Sequence, residues 1–171
     1  DEDTLRFSAG VNNNAIVSGD AGSDVLLFSS TVSSSGIYGG SGGDSMVFSG
    51  AVTSATIDAG VNNDTLTFAS SVVSSTVFSA NGTDTLTFSD VVSASAVSLG
   101  AGNVAVTFSS VVGSGSSIIG AGGSSQTINF SAGADLVSFD GELAAGSVLG
   151  GAGNDTLVFL QDASVNNASV V

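Results

Sequence analysis

Phenylalanine recurs along this chain at a nearly constant interval, and that interval limits the fold more than any other feature. Consecutive phenylalanines are 20 to 22 residues apart within each of two runs. The first run comprises Phe7, Phe28, Phe48, Phe68, Phe88, Phe108 and Phe130, and the second comprises Phe139 and Phe159. An aspartate stands four residues before seven of these nine phenylalanines. A fixed period of this length is typical of stacked-repeat proteins. We therefore expect one repeat domain over residues 1–171.

Other apolar residues keep the same phase. The position two residues before each phenylalanine holds Leu5, Leu26, Met46, Leu66, Leu86, Val106, Ile128, Val137 and Leu157. The position four residues after it is Val11, Val32, Val52, Val72, Val92, Val112 or Leu143, and nine residues after it come Ile16, Ile37, Ile57, Val77, Val97 and Val148. Polar and apolar residues alternate in segments such as Asp64-Thr65-Leu66-Thr67-Phe68, and this alternation is typical of a half-buried strand.

Short strands repeated at this interval are expected to coil rather than to close hairpins. In a coil, equivalent strands stack in parallel about 4.8 Å apart, and identical side chains form ladders inside. The sequence therefore predicts an all-β protein, a right-handed parallel β-solenoid (a β-roll or β-helix). It should have about 20 residues per rung and about eight rungs. We expect it to be a segment of a longer repeat protein or a filament-forming subunit.

Charge and composition exclude several classes of function. The net charge is −14, and the single basic residue is Arg6, so no basic patch for nucleic acid or for an anionic membrane surface is possible. No apolar run is long enough for a membrane-spanning helix. The chain has no His, Cys, Lys or Trp, so we expect no enzyme activity. Divalent cations are the partners that such an acidic chain favours.

Glycine-rich loops precede the aspartates. Residues 39–47 and 150–158 both match the nonapeptide G-G-x-G-x-D-x-U-x in full, and other loops keep the aspartate but lose glycines. This pattern resembles the RTX (haemolysin-type) calcium-binding repeats. The chain departs from that family in having about 20 residues per rung and usually one loop, where RTX rolls use about nine residues per half-turn and a loop on both edges.

The resemblance implies Ca²⁺ between consecutive loops, held by carboxylates and backbone carbonyls. Independently, stacked carboxylates about 5 Å apart repel each other unless cations intervene, and Ca²⁺ accepts oxygen ligands in flexible numbers. Alternatively, these residues are only turn formers at solvated corners. The candidate metal-binding residues are Asp20, Asp24, Asp44, Asp64, Asp84, Asp135, Asp155, Gly39, Gly40, Gly42, Gly150, Gly151 and Gly153.

The repeat is interrupted near residues 120–140. Phe130 and Phe139 are only nine residues apart, which is half a rung, and Val104 and Gln126 occupy the two preceding aspartate positions. In one interpretation the aspartate edge switches sides here, so that Asp135 and Asp155 pair on the opposite edge. In the other, the segment is a local bulge or loop.

The resemblance implies a secreted, extracellular or cell-surface protein, as in bacterial adhesins, surface-layer proteins and extracellular filaments. We expect a fibre, stalk or surface-layer segment that binds calcium ions and associates head to tail or continues in a longer chain. Two alternatives remain open. Thr65/Thr67 and Thr85/Thr87 form paired threonines on successive rungs, as in ice- or surface-binding solenoids, although Val25/Leu27, Ser45/Val47 and Ala105/Thr107 interrupt the array. The chain also fits a calcium-folded module of a type I secreted protein.

Overall fold

The protein is described by a computed structural model that covers residues 1–120, 125–130, 133–140, 142–144, 146–160, 164–166 and 169–171. Every regular element in these ranges is a β-strand. Among the same residues, no helix has the length and apolar composition needed to cross a membrane. The strands are β1 Thr4–Phe7, β2 Ile16–Ser18, β3 Val25–Phe28, β4 Val32–Ser33, β5 Gly36–Tyr38, β6 Ser45–Phe48, β7 Val52–Thr53, β8 Thr56–Asp58, β9 Thr65–Phe68, β10 Val72–Val73, β11 Thr76–Phe78, β12 Thr83–Phe88, β13 Val92–Ser93, β14 Ala96–Ser98, β15 Asn103–Phe108, β16 Ser116–Ile119, β17 Gln126–Asn129, β18 Leu136–Asp140, β19 Glu142–Ala144, β20 Ser147–Leu149, β21 Thr156–Phe159, β22 Ser164–Asn166 and β23 Ser169–Val170.

The strands form a parallel β-solenoid of about seven turns with about 20 residues per turn, which confirms the fold predicted from the phenylalanine period. A nine-stranded sheet has the order β1-β3-β6-β9-β12-β15-β17-β20-β23, and an eight-stranded sheet has the order β2-β5-β8-β11-β14-β16-β18-β21. A four-stranded sheet, β13-β10-β7-β4, lies between them along the chain, and β19 pairs with β22. Each central rung therefore contributes one strand to each of three sheets.

The core is a set of ladders whose members lie one rung apart. Phe48, Phe68 and Phe88 are in direct register on β6, β9 and β12. From Phe7 to Phe130, consecutive rings stack with centroids 4.7 to 5.1 Å apart and ring planes within 14° of parallel. Leu26, Met46, Leu66 and Leu86 form a second, fully buried ladder beside them. Each stacked pair of phenylalanine rings adds about 0.5–1.5 kcal/mol of stability beyond the burial of its surface.

A serine-rich corner joins the four-stranded sheet to the eight-stranded sheet. Ser34, Ser54 and Ser74 have left-handed backbone conformations, with φ of 49° to 52°. The next serine in each of two rungs is buried and donates to the backbone, as Ser75 Oγ does to the Val73 carbonyl at 2.9 Å. Ser75 Oγ also accepts the Ala55 N–H at 3.1 Å, so this hydroxyl links two rungs. Buried serine hydroxyls therefore help to hold this corner together.

Two residues expected in the ladder nine positions after phenylalanine lie elsewhere. Ile16 is 76 % exposed, and Val17 instead pairs with Ile37 and is buried. The first rung is one residue longer than the four that follow it, and a shift of one residue moves a side chain to the other face of a strand. Val148 pairs with Ile128 on the nine-stranded sheet, because the register changes before it.

The change of register moves one ladder to another sheet. The ring of Phe130 continues the phenylalanine stack, whereas the ring of Phe139 meets it edge-on, with centroids 6.5 Å apart and planes at 83°. Phe139 lies on β18 and pairs with Ile118 of the eight-stranded sheet. Phe159 then stacks on Phe139 at 4.9 Å. The half-rung interval is therefore a switch of edge and not a bulge on the original edge.

Candidate functional site

Four aspartates form a row along one edge of the nine-stranded sheet. Asp24, Asp44 and Asp64 directly precede β3, β6 and β9, and Asp84 lies on β12. Each carboxylate reaches down to the rung below, where its Oδ1 accepts the backbone N–H of that rung. The four donors are Asp3, Asp24, Asp44 and Asp64, at N–Oδ1 distances of 2.6, 2.8, 2.7 and 3.0 Å. The predicted row of carboxylates is therefore present, and hydrogen bonds fix its spacing.

The carboxylates of this row point into the solenoid. The four aspartates are only 1 to 2 % exposed, whereas solvated corner residues would face water. Their Oδ2 atoms are buried and have no hydrogen-bond partner, and the same holds for Oδ2 of Asp135. An unpartnered buried carboxylate oxygen is costly, so it calls for a proton or a cation. The turn-former explanation accounts for the loops but not for these oxygens.

Burial changes the acid–base behaviour of the row. It raises the pKa of Asp64 from 3.8 to about 7, the Asp44 N–H opposes that rise, and repulsion from the neighbouring Asp84 and Asp44 carboxylates adds to it. Burial likewise raises the pKa of Asp44 and of Asp84, and the backbone N–H one rung below opposes the rise in each. The charged forms of Asp44, Asp64 and Asp84 are thus disfavoured wherever no cation compensates for the lost water.

The glycines of the loops have two distinct structural roles. Gly40 and Gly42 have left-handed φ values of 110° and 130°, which glycine adopts without strain. Gly151 and Gly153 repeat this pattern on a later rung, with φ of 84° and 158°. Gly39 is not in this region of φ. A Cβ atom there would lie 2.6 Å from Asp44 Oδ2 and closer still to the Ala59 carbonyl oxygen, so space requires this glycine.

Oxygen atoms converge beside these glycines. A Cβ on Gly19 would lie 2.6 Å from both Asp24 Oδ2 and the Gly39 carbonyl oxygen, and Gly39 has the same surroundings one rung higher. The described residues contain no group of three or more acidic, His or Cys side chains around one point. The further oxygen atoms that lie beside these Oδ2 atoms are the backbone carbonyl oxygens of Gly39 and Ala59. A set of carboxylate and carbonyl oxygens fits a hard cation such as Ca²⁺.

The later aspartates form a second row on a different edge. Asp135 Oδ1 accepts the N–H of Val112 at 2.7 Å, and Asp155 Oδ1 accepts the N–H of Asp135 at 3.1 Å. The strands that follow them belong to the eight-stranded sheet, so Asp155 does not lie above Asp84. Above Asp84 the first row ends, because Val104 and then Gln126 occupy its position. Gly150 lies beside Asp155, because a Cβ on Gly150 would be 3.2 Å from Asp155 Oδ2.

Asp20 lies apart from both rows. Its side chain is exposed, and its Oδ1 accepts the Ser18 hydroxyl at 2.6 Å. Its backbone has a φ of 68°, so its position corresponds to Gly40 rather than to the carboxylates. A metal-ligating role for the Asp20 carboxylate stays a prediction, and the structure brings no other carboxylate of the candidate set to it.

Sequence reasoning did not identify two members of the site. Gly19 has the same contacts as Gly39, and its signal is a glycine five residues before Asp24. Asp3 begins the first row through its N–H, and its signal is its place four residues before Phe7. The carbonyl oxygens of Gly39 and Ala59 carry no sequence signal, because any residue has a carbonyl.

Comparison of the chain with protein-family models, with curated proteins and with solved structures finds no match. The resemblance to RTX repeats thus depends on the loop motif and its spacing, and membership of that family stays a prediction.

Proposed function

We propose that this protein is an extracellular structural β-solenoid, a fibre, stalk or surface-layer segment, stabilised by calcium bound between its rungs. The observation that carries the proposal is the row from Asp24 to Asp84, in which every Oδ2 is buried and unpartnered. The row is built into a continuous stack of similar rungs, so ions bound along it would stiffen that part of the stack. A repeating scaffold of this kind suits a mechanical role better than a single binding event.

Charge and ligand type support calcium over other ions. A bound divalent cation supplies positive charge at the row, and this chain has only one basic side chain with which to neutralise its acids. The donors at Gly19 and Gly39 are carboxylate and carbonyl oxygens, which Ca²⁺ binds in variable number. Mg²⁺ requires near-octahedral geometry and keeps several waters, which a buried oxygen row does not favour.

The edges of the sheets support a role in assembly. β1 and β23 are the edge strands of the nine-stranded sheet, and β2 and β21 are those of the eight-stranded sheet. Edge strands present unpaired N–H and C=O groups to a further strand. We propose that another rung, from the same polypeptide or from a second copy, stacks on these edges. The proposal includes no enzymatic activity, because most titratable groups are aspartates that recur in repeated turns.

Thermal unfolding followed by circular dichroism tests the calcium dependence. The chelated protein should gain β-structure or melting temperature when CaCl₂ is added, and MgCl₂ at the same concentration should have a much smaller effect. An unchanged spectrum and an unchanged melting temperature on adding CaCl₂ would overturn the calcium part of the proposal. A chain that is unfolded until calcium is added would favour the secreted-module form of the same function. Electron microscopy in the presence of calcium tests the assembly part, since fibres and monomers differ in length.

Binding of ice or another regular surface remains a second candidate, and one observation favours it. The register places Thr65, Thr85, Ala105 and Thr127 in one outward column of the nine-stranded sheet. The neighbouring column contains Thr67, Thr87, Thr107 and Asn129. The threonine grid thus extends one rung beyond Thr107, past the interruption at Ala105, and it contains no charged residue. Thermal hysteresis of the wild-type protein, abolished by Thr87→Lys but not by Thr56→Lys on the other sheet, would establish this function; no hysteresis would reject it.

A further inference from the structure

The residue five positions before each carboxylate changes systematically along the first row. This position, which we name the gate position, is Gly19, Gly39, Ala59 and Ser79 before the four aspartates, and Leu99 before Val104. Ala59, Leu99 and Ser79 are fully buried. The side chain at the gate position therefore grows from one end of the row to the other.

A side chain at the gate position occupies the space beside Oδ2. At Gly19 and Gly39 a Cβ would lie 2.6 Å from the Oδ2 atom of its own rung, which is closer than real Cβ contacts allow. Neither glycine has a left-handed φ, so what requires glycine at both positions is space and not backbone conformation. What glycine provides here is room next to an unpartnered carboxylate oxygen and a carbonyl oxygen of the next rung.

The far end of the row shows how the same space is filled without an ion. Val104 replaces the aspartate directly above Asp84, and both Val104 and Leu99 belong to the buried apolar core. One rung below, Ser79 is fully buried at the gate position, and its Oγ accepts the Gly100 N–H at 3.1 Å. The Ser79 side chain therefore occupies a position that is open at the glycine rungs.

We propose that the gate position determines which rungs bind a cation: the rungs of Asp24 and Asp44 bind, the rung of Asp64 binds more weakly, and the rung of Asp84 does not. The inference rests on the proposed calcium-stabilised function and specifies it rung by rung. On the other edge the same rule assigns binding to Asp155, because a Cβ on Gly150 would lie 3.2 Å from Asp155 Oδ2.

Calcium titration by isothermal calorimetry of the full chain tests the rule. Gly39→Ala should remove one calcium site or weaken its calcium affinity by about tenfold or more. A loss of this size is usual when the surroundings of a metal ligand are disturbed. Ala59→Gly should strengthen the site at Asp64. Gly113→Ala is the matched control, because a Cβ there meets its nearest atom, on Ser93, at an ordinary 3.4 Å and not at a carboxylate of the first row.

The outcomes separate the inference from the function on which it rests. If the wild-type protein binds no calcium, the proposed function itself fails. If the wild-type protein binds calcium and both variants titrate like Gly113→Ala, the function stands and the gate rule is wrong. Gly39→Ala carries a risk of misfolding, because its Cβ also approaches the Ala59 carbonyl oxygen. Ala59→Gly removes atoms and keeps the rule testable, since an unchanged affinity at Asp64 would by itself overturn it.

Discussion

At the scale of single residues, the two oxygens of each row aspartate have unequal surroundings. Oδ1 is held by the backbone N–H one rung below, and Oδ2 is left without a partner. The sequence predicted the row, because an aspartate four residues before phenylalanine keeps one position per rung. It did not predict that the carboxylates point inward, because the same spacing fits a solvated corner and a buried one.

Metal-free stability should fall as pH rises. Burial raises the pKa of Asp64 from 3.8 to about 7, so between these values the folded state binds more protons than the unfolded state. The stability that protonation provides is therefore fully present below pH 3.8 and is lost as pH rises through about 7. Urea unfolding in metal-free buffer from pH 4 to pH 8 measures this. With saturating calcium the trend should reverse, since protons compete with the ion, and equal trends in both buffers would contradict the prediction.

Replacing a row aspartate by asparagine should separate its role as a hydrogen-bond acceptor from its role as a charged metal ligand. Asp44→Asn keeps a side-chain oxygen for the Asp24 N–H and removes the charge that burial disfavours. In metal-free buffer at pH 8 the variant should be more stable than the wild type, by about 1–3 kcal/mol if the cost of the unpartnered group is removed, and it should gain less from calcium. Urea unfolding midpoints, measured with and without calcium, give both the difference in stability and the gain from calcium. The exposed Asp90→Asn is the control, and a variant less stable than wild type without calcium would count against a charged Asp44.

At the scale of the elements, the ladders are the main source of packing. The sequence predicted the phenylalanine ladder correctly, because a 20-residue interval returns each ring to one place. It placed Ile16 and Val148 wrongly, since one extra residue in the first rung and the half-rung before Phe139 shift the register. Period counting cannot show which turn takes up an additional residue.

Removing a central ring from the ladder should destabilise the whole stack. Phe68 is fully buried between Phe48 and Phe88, with centroids 4.8 and 4.7 Å away. Phe68→Ala should therefore cost about 3–5 kcal/mol. Phe78→Ala is a suitable control, because the Phe78 side chain on β11 points outward and is 37 % exposed, so its removal should cost far less. Chemical denaturation of both variants makes the comparison, and similar losses would mean that the stacked rings are not the dominant contact.

At the scale of the whole molecule, two carboxylate rows lie on different edges and are separated by rungs without carboxylates. The first row ends at Asp84, and the second begins at Asp135. Between them, Leu99, Val104 and Val106 continue the buried apolar core, and backbone pairing of β12, β15 and β17 continues the sheet. Because each rung of a solenoid contacts only its neighbours, such a protein is close to a one-dimensional chain of coupled units.

Calcium removal should therefore loosen the two ends more than the middle. Local opening in repeat proteins depends on nearest-neighbour contacts, so rungs that lack a buried carboxylate have least to lose. Hydrogen exchange followed by mass spectrometry, with and without chelator, should show lost protection in residues 19–68 and 150–159. Protection should be nearly unchanged in residues 96–119, where Leu99 and Val104 replace the ion site. Asp155→Asn should reduce the calcium response of the second region and leave that of the first intact. A uniform loss along the chain would instead show that the solenoid opens as one cooperative unit, with the two rows coupled across the apolar middle.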